Sequence, residues 1–412
     1  MKVNNIRIGI LPNQFLKENG TFDKESAIKL SGKIAGVCYD KEGFSHLENE
    51  PEEKTMRRVN MTLNNGHHSV YDHINISFNL QNVPKILAMV LNNEHQYTTS
   101  EKSARYTPVV RQEGSVISEE EERLYNKWID IFKVKIKEKY GNFYNDAKIQ
   151  KLAQENARYL VTVFMPTQMI YTTSLRQINY IASWMNLYAS EHLDKYKKSN
   201  SFNIGHDCSK RKLAKSMVEF VDELDKLNVL EEGLMKNEKH RSLSLFGKDL
   251  DKKQEYFGDV YITTYQGTFA QLAQAQRHRT LDYQMEFIEE ETSFFIPPII
   301  RDDQMLVDEW ICDMTLVSCY TPQGELVTIS ESGKYEDFIL KCKERLCSAA
   351  QLEIADQTKK TLSKYREELI RTNSPLADDI EKYSKGARCT FPDYDCSSPC
   401  GFSEGIQLKR KI

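Results

Sequence analysis

The sequence predicts a mixed α/β (α+β) protein made of two tandem repeats, each a strand-plus-helix core with long helices. Three observations carry that prediction. A short motif occurs twice, once around Glu94-His95-Gln96 and Ser103-Ala104-Arg105 and once as Gln274-Ala275-Gln276-Arg277-His278-Arg279, with the two histidines 183 residues apart. The stretch from Phe78 to His95 has the same spacing as that from Tyr261 to His278, and in both a strand-like alternation precedes a helix-like one. Finally, 412 residues exceed what a single hydrophobic core usually supports, so two domains are expected.

The elements follow in order. Residues 26–38 and 52–64 carry apolar side chains at helical spacing, and Asn65-Gly66 stops the second helix. Residues 74–80 alternate apolar and polar as a half-buried strand. Pro84 then suits a first helical turn, giving a helix over 84–93 that runs toward Glu94-His95. Helices are expected over 119–140, 148–163 and 172–188, the last with an aromatic and aliphatic stripe. The Lys-, Glu-, Asp- and Ser-rich stretch from 195 to 254, helical over 212–230, reads as a join, and His206-Asp207-Cys208 within it as a loop. The strand and helix recur over 260–264 and 268–276. A final helix over 335–372 ends near Asn373-Ser374-Pro375, before a Gly-, Pro- and Cys-rich tail. The expected domains are therefore 1–195, a helical join at 196–254, and a shorter second repeat at 255–412.

Composition excludes several function classes. A net charge of −4 gives no basic excess for a nucleic-acid polymer. The absence of a basic leader and of any apolar run of about 18 residues points away from membranes and toward the cytoplasm. Nine scattered cysteines, an odd number, read as reduced thiols. Neither Cys389, Cys396 and Cys400 nor His67, His68, Asp72 and His73 have a familiar metal-site spacing, so no metal is expected.

Together the two motif copies resemble the flavin-dependent thymidylate synthases, whose signature joins Arg-His-Arg to a following Ser-x-Arg. Here the first copy keeps Ser103-x-Arg105 and the second keeps Arg277-His278-Arg279. Gly66-His67-His68-Ser69-Val70-Tyr71-Asp72-His73 is similar to the family's Gly-His-x-Ser/Thr-x-x-Glu/Asp-His. Arg158 and Arg176 sit like its two later arginine elements, and Ala387-Arg388-Cys389 matches thinly near the C-terminal end of the second repeat.

The resemblance implies FAD as cofactor, with NADPH and methylenetetrahydrofolate as co-substrates, and methylation of dUMP to dTMP. It places Arg277, His278, Arg279, Ser69, Asp72 and Arg176 at the flavin. Glu101, Ser103, Arg105, Gln274, Arg158 and Arg388 would hold the nucleotide, with Arg277, Arg105 and Gln274 closest to the chemistry. The nucleotide site would be composite, one repeat supplying what the other has lost, and a homodimer would act as a pseudo-tetramer. Met185 stands where the family has an arginine that orients the uracil ring, which leaves open hydroxymethylation or another pyrimidine nucleotide. A flavin- or nucleotide-binding protein without catalysis is the rival from another class.

Overall fold

The computed structural model describes residues 5–103, 109, 111, 115–194, 206–236, 241–247, 250–288, 292–392, 394–397, 400 and 410–412. The chain forms two compact units, one from Met1–Lys102 with Met165–Ser244, the other from Ser103–Phe164 with Leu245–Ile412. Residues 103–164, which the sequence places in the first repeat, thus cluster with the second unit.

In chain order the elements are β1 (Arg7–Ile10), α1 (Lys24–Gly36), α2 (Phe44–Glu48), α3 (Glu52–Asn64), β2 (Asn75–Pro84), α4 (Lys85–Leu91) and β3 (Thr98–Glu101). Then come α5 (Glu119–Tyr140), α6 (Asp146–Ala157), β4 (Pro166–Ser174), α7 (Leu175–Asp194), α8 (Asp207–Lys226) and α9 (Glu232–Met235). The remainder comprises β5 (Tyr256–Phe257), β6 (Val260–Thr268), α10 (Phe269–Ala275), β7 (Asp282–Phe287), α11 (Gln304–Leu316), β8 (Leu326–Lys334), α12 (Tyr335–Arg345), α13 (Leu352–Arg371) and α14 (Ala377–Ile380).

Each unit holds a four-stranded antiparallel sheet of the same order, β1-β2-β4-β3 in one and β5-β6-β8-β7 in the other. In both, the two inner strands run directly into helices: β2 into α4 and β4 into α7, β6 into α10 and β8 into α12. Alternation explains the strands. Ile76, Phe78 and Leu80 of β2 are buried, as are Thr167, Met169, Tyr171 and Thr173 of β4. After Lys85, helix α4 is apolar on every face, and Ile86 to Leu91 are all fully buried, so tertiary packing rather than propensity holds this short helix.

Helix α5 matches its expected bounds because a capping box fixes its start. Ser118 Oγ accepts from the Glu121 amide at 3.1 Å, and Glu121 Oε2 accepts from the Ser118 amide at 2.7 Å. Trp128 of α5 meets Trp310 of α11 edge to face at 4.7 Å, and Phe132 packs on the same ring at 5.6 Å.

Four expectations are corrected. The helix expected over 148–163 ends at Ala157, because Val161 and Val163 exchange backbone hydrogen bonds with Gln323 and Thr321 instead. The helix expected over 172–188 begins only at Leu175, since Thr172 to Ser174 belong to β4 and pair with β2. The helix expected over 335–372 breaks between Arg345 and Leu352; at the break, the Arg410 guanidinium donates to the carbonyls of Ser348 (3.0 Å), Cys347 (3.4 Å) and Ala350. Asp207-Cys208, read as a loop, opens α8. Among the described residues no helix is long and apolar enough to cross a membrane.

Candidate functional site

In the second unit α10 ends in a tight turn. The amides of Arg277 and His278 donate to the carbonyls of Gln274 (3.2 Å) and Ala275 (2.9 Å), and the Leu281 amide donates back to His278 at 3.1 Å. This turn exposes Arg277 and Arg279 on either side of a buried His278. His278 Nε2 accepts from Arg345 Nε at 2.7 Å, while Nδ1 lies 3.7 Å from a Glu344 carboxylate oxygen. Burial, with the charges of Arg345 and Lys341, pushes the imidazole down to about 2. The ring is therefore neutral and carries its proton on Nδ1, facing Glu344.

Arg388 reaches the same end of α12. Its amide donates to the Leu346 carbonyl at 2.7 Å, its guanidinium donates to the Lys343 carbonyl at 3.4 Å, and it lies 4.8 Å from the Tyr394 ring centre. Its Nε is buried without a hydrogen-bond partner. The structure thus brings Arg277 to Arg279 and Arg388 to one helix end, through Arg345 on one side and Leu346 on the other.

Gln274 lies deeper. Its side chain donates to Gln351 Oε1; Gln351 Nε2 donates to the Tyr159 hydroxyl at 2.6 Å; and Tyr159 donates to Glu353 Oε2 at 2.9 Å. Glu353 also accepts from the Thr268 amide at 3.0 Å and the Thr268 hydroxyl at 2.8 Å. Burial pushes its carboxyl up, opposed by these donors and by the Arg158 charge. Arg158 itself is only 4% exposed and belongs to this buried network rather than to an open surface.

In the first unit, Ser69 and Asp72 share a single 3-10 turn, His68–His73. Asp72 forms an ion pair with Arg176 and accepts from Ser174 Oγ at 2.6 Å. The Arg176 guanidinium lies 5.7 Å from the Tyr180 ring centre, and its Nε is buried and unpartnered. Tyr180 in turn meets His68 Nδ1 at 2.9 Å, and His68 Nε2 lies 3.1 Å from the Leu63 carbonyl. Ser69 itself is exposed. Glu101, on β3, accepts from Lys85 at 2.6 Å and from Asn92 at 3.3 Å. Ser103 follows two residues on, and Arg105 lies outside the described residues.

The first motif copy is closed by charges of opposite sign. Glu94, fully buried, accepts from Arg241 at 2.5 Å and from the Ser244 amide at 2.6 Å, and Asn93 Nδ2 donates to Ser244 Oγ at 2.8 Å. Arg241 also stacks over Trp184 at 3.7 Å. Met185 is buried in the core. Sequence reading missed Tyr159, Gln351 and Glu353, and also Arg241 and Arg345. No local spacing marks them, because each acts on a segment distant in sequence.

Residues 23–189 match the family described as thymidylate synthase complementing protein. No curated protein matches the chain. Among solved structures it is similar to a UMP/dUMP methylase from Streptomyces cacaoi bound with 5-Br dUMP. That likeness has 15% identity, covers 55% of this chain and 98% of that one, and has a TM-score of 0.31. It is also similar to thymidylate synthase X from Helicobacter pylori with FAD and dUMP, at 14% identity, 56% and 100% coverage and a TM-score of 0.30. Over residues 23–189, then, the chain carries a region that matches the family of the thymidylate synthase complementing protein.

Proposed function

We propose that this chain is a flavin-dependent enzyme acting at C5 of a uracil nucleotide, methylating dUMP to dTMP with FAD, methylenetetrahydrofolate as carbon donor and NADPH as reductant. The observation that carries this reading is the turn after Gln274, which holds two exposed guanidinium groups beside a buried, neutral imidazole. Arginine stays charged and presents a planar fork that fits phosphate. Arg277 is exposed, and Arg388 keeps a buried Nε without a partner, a donor set suited to a dinucleotide and a nucleotide phosphate.

Bound reduced flavin supplies the hydride, and folate the carbon. Arg277, His278, Arg279, Ser69, Asp72 and Arg176 are the residues assigned to the flavin. The Asp72 carboxylate keeps Arg176 oriented. Glu101, Ser103, Arg105, Gln274, Arg158 and Arg388 are assigned to the nucleotide, Arg158 through its charge, which also acts on Glu353. Negative charge builds on the ring oxygens as a carbon is added at C5, and fixed guanidinium groups aimed there lower the barrier. A homodimer acting as a pseudo-tetramer completes the proposal, and light scattering on the active protein checks it.

The first test is tritium release from dUMP labelled at C5, with FAD, NADPH and methylenetetrahydrofolate present, followed by mass analysis of the nucleotide. Release with one added methyl group supports the reading, and a hydroxymethyl product selects the variant chemistry. No release and no flavin binding moves the assignment to a protein without catalysis. Arg277→Ala is expected to weaken both flavin and nucleotide binding at least about tenfold, and Arg105→Ala nucleotide binding alone. Equal flavin loss in the two variants overturns the division of roles.

A further inference from the structure

Three candidate residues of the second unit, His278, Arg388 and Gln274, are tied to one short stretch, Arg345 to Gln351, where the chain passes from α12 to α13. Arg345 Nε donates to His278 Nε2 at 2.7 Å, the Leu346 carbonyl accepts from the Arg388 amide at 2.7 Å, and the Gln351 side chain meets that of Gln274. Between these points the chain makes a turn, in which the Ala350 amide donates to the Cys347 carbonyl at 3.0 Å. Leu346 and Gln351 flank the turn and are buried, so where the turn sits decides where they sit. Arg410, from far along the chain, grips this turn. Its guanidinium donates to the carbonyls of Ser348 at 3.0 Å, Cys347 at 3.4 Å and Ala350, and to that of Ile412 at 3.0 Å. Arg410 is 5% exposed and Ile412 is 2% exposed, so the grip is buried and anchored at its own end. A guanidinium presents five donors in a rigid fork, which lets one side chain span three carbonyls of one turn. Without it those carbonyls lose their partner in a largely buried place, and a turn that re-forms to satisfy them shifts Leu346 and Gln351 with it.

We propose that Arg410 is a positioning residue: by holding the stretch from Arg345 to Gln351 in one place, it keeps Arg345 against His278 and Leu346 against Arg388, and so presets the Arg277–Arg279 turn for the flavin. The proposal rests on the reading that this turn meets bound FAD. Arg410 acts through the main chain, since its hydrogen bonds all go to carbonyls. What it supplies is the fork as well as the charge. A lysine keeps the charge but concentrates its donors on one nitrogen, which cannot reproduce the spread of a guanidinium over three carbonyls. A turn left loose must be ordered when ligand binds, and that ordering is subtracted from affinity.

The test compares the full-length wild type with Arg410→Ala and Arg410→Lys, using hydrogen exchange read by mass spectrometry on the flavin-free proteins and FAD affinity read by fluorescence on the same preparations. In Arg410→Ala, exchange should rise about tenfold over residues 345–351, at the turn amides of Arg277, His278 and Leu281, and at the Arg388 amide, with β6 and β8 unchanged; FAD should bind about tenfold more weakly. Arg410→Lys should fall between wild type and Arg410→Ala in both readouts. Where Arg410→Ala fails to fold, Arg410→Lys decides. No change in the folded variants, a rise confined to residues 345–351, or a rise spread equally over β6 and β8 overturns the positioning role and leaves the flavin reading intact. Raised exchange at the turn and at Arg388 with undiminished FAD affinity overturns the link from this stretch to the ligand. A wild type that binds no FAD overturns the proposed function, and this role with it.

Discussion

His278 shows how burial, rather than sequence context, decides a side chain's chemistry. Two neighbouring arginines suggest a cationic triplet, yet the imidazole is neutral because it is desolvated and accepts a hydrogen bond from Arg345. Its folded value, about 2, lies below the ordinary value of about 6.5, so the unfolded chain takes up the proton first. Stability from this group is complete above pH of about 6.5 and is lost as the pH falls toward 2. Between pH 6.5 and 5 the wild type should lose about 2 kcal/mol more than His278→Gln, measured by urea unfolding at the two pH values. Glu325 has the opposite sign. Burial pushes it up to about 8, so the native state holds a proton that the unfolded state releases, and stability falls as pH rises from about 4.5 to 8. Glu325→Gln should flatten that alkaline loss, read by the same unfolding series. At this scale the sequence supplied candidates, since Arg277, Arg279 and Asp72 could be named from motif alone. Protonation and hydrogen-bond direction were hidden, because they depend on Arg345, Gln351 and Glu353, each brought in from far along the chain.

At the scale of elements, legibility followed local signals. Helix α5 could be bounded to the residue because Ser118 and Glu121 write its cap into four consecutive positions. Strand β4 could not, because Thr172 to Ser174 continue smoothly into a helical stripe and only pairing with β2 separates the two. The join was read as a polar helical spacer, but Arg241 and Ser244 are bound to Glu94 and Asn93. Arg241→Ala should cost about 2–3 kcal/mol, discounted for the partial exposure of the arginine, because it strands a fully buried carboxylate. Adding Glu94→Gln should recover most of the loss, and a double-mutant cycle in urea checks it. Additive losses would show that the two side chains do not act together.

At the scale of the whole molecule, the shared strand order of the two sheets is what the duplicated motif led one to expect, whereas the division of the chain into units is not. Residues 103–164 read as part of the first repeat because they follow its motif directly. Their apolar faces, however, are matched to later segments, as Trp128 is to Trp310. A fragment comprising residues 1–195 should therefore expose Trp128 and Phe132 and fail to unfold cooperatively, as followed by circular dichroism and tryptophan fluorescence. A cooperative, fully helical fragment would argue against this division.

The closure at Glu94 also constrains the history open to this chain. An arginine at position 94 would be fully buried and would face Arg241, whose partial exposure screens the two charges only in part. Reversion must therefore pass through a destabilised intermediate or change both positions at once. A pair of this kind works as a ratchet: with Arg241 in place, a cation at position 94 is disfavoured until both positions change.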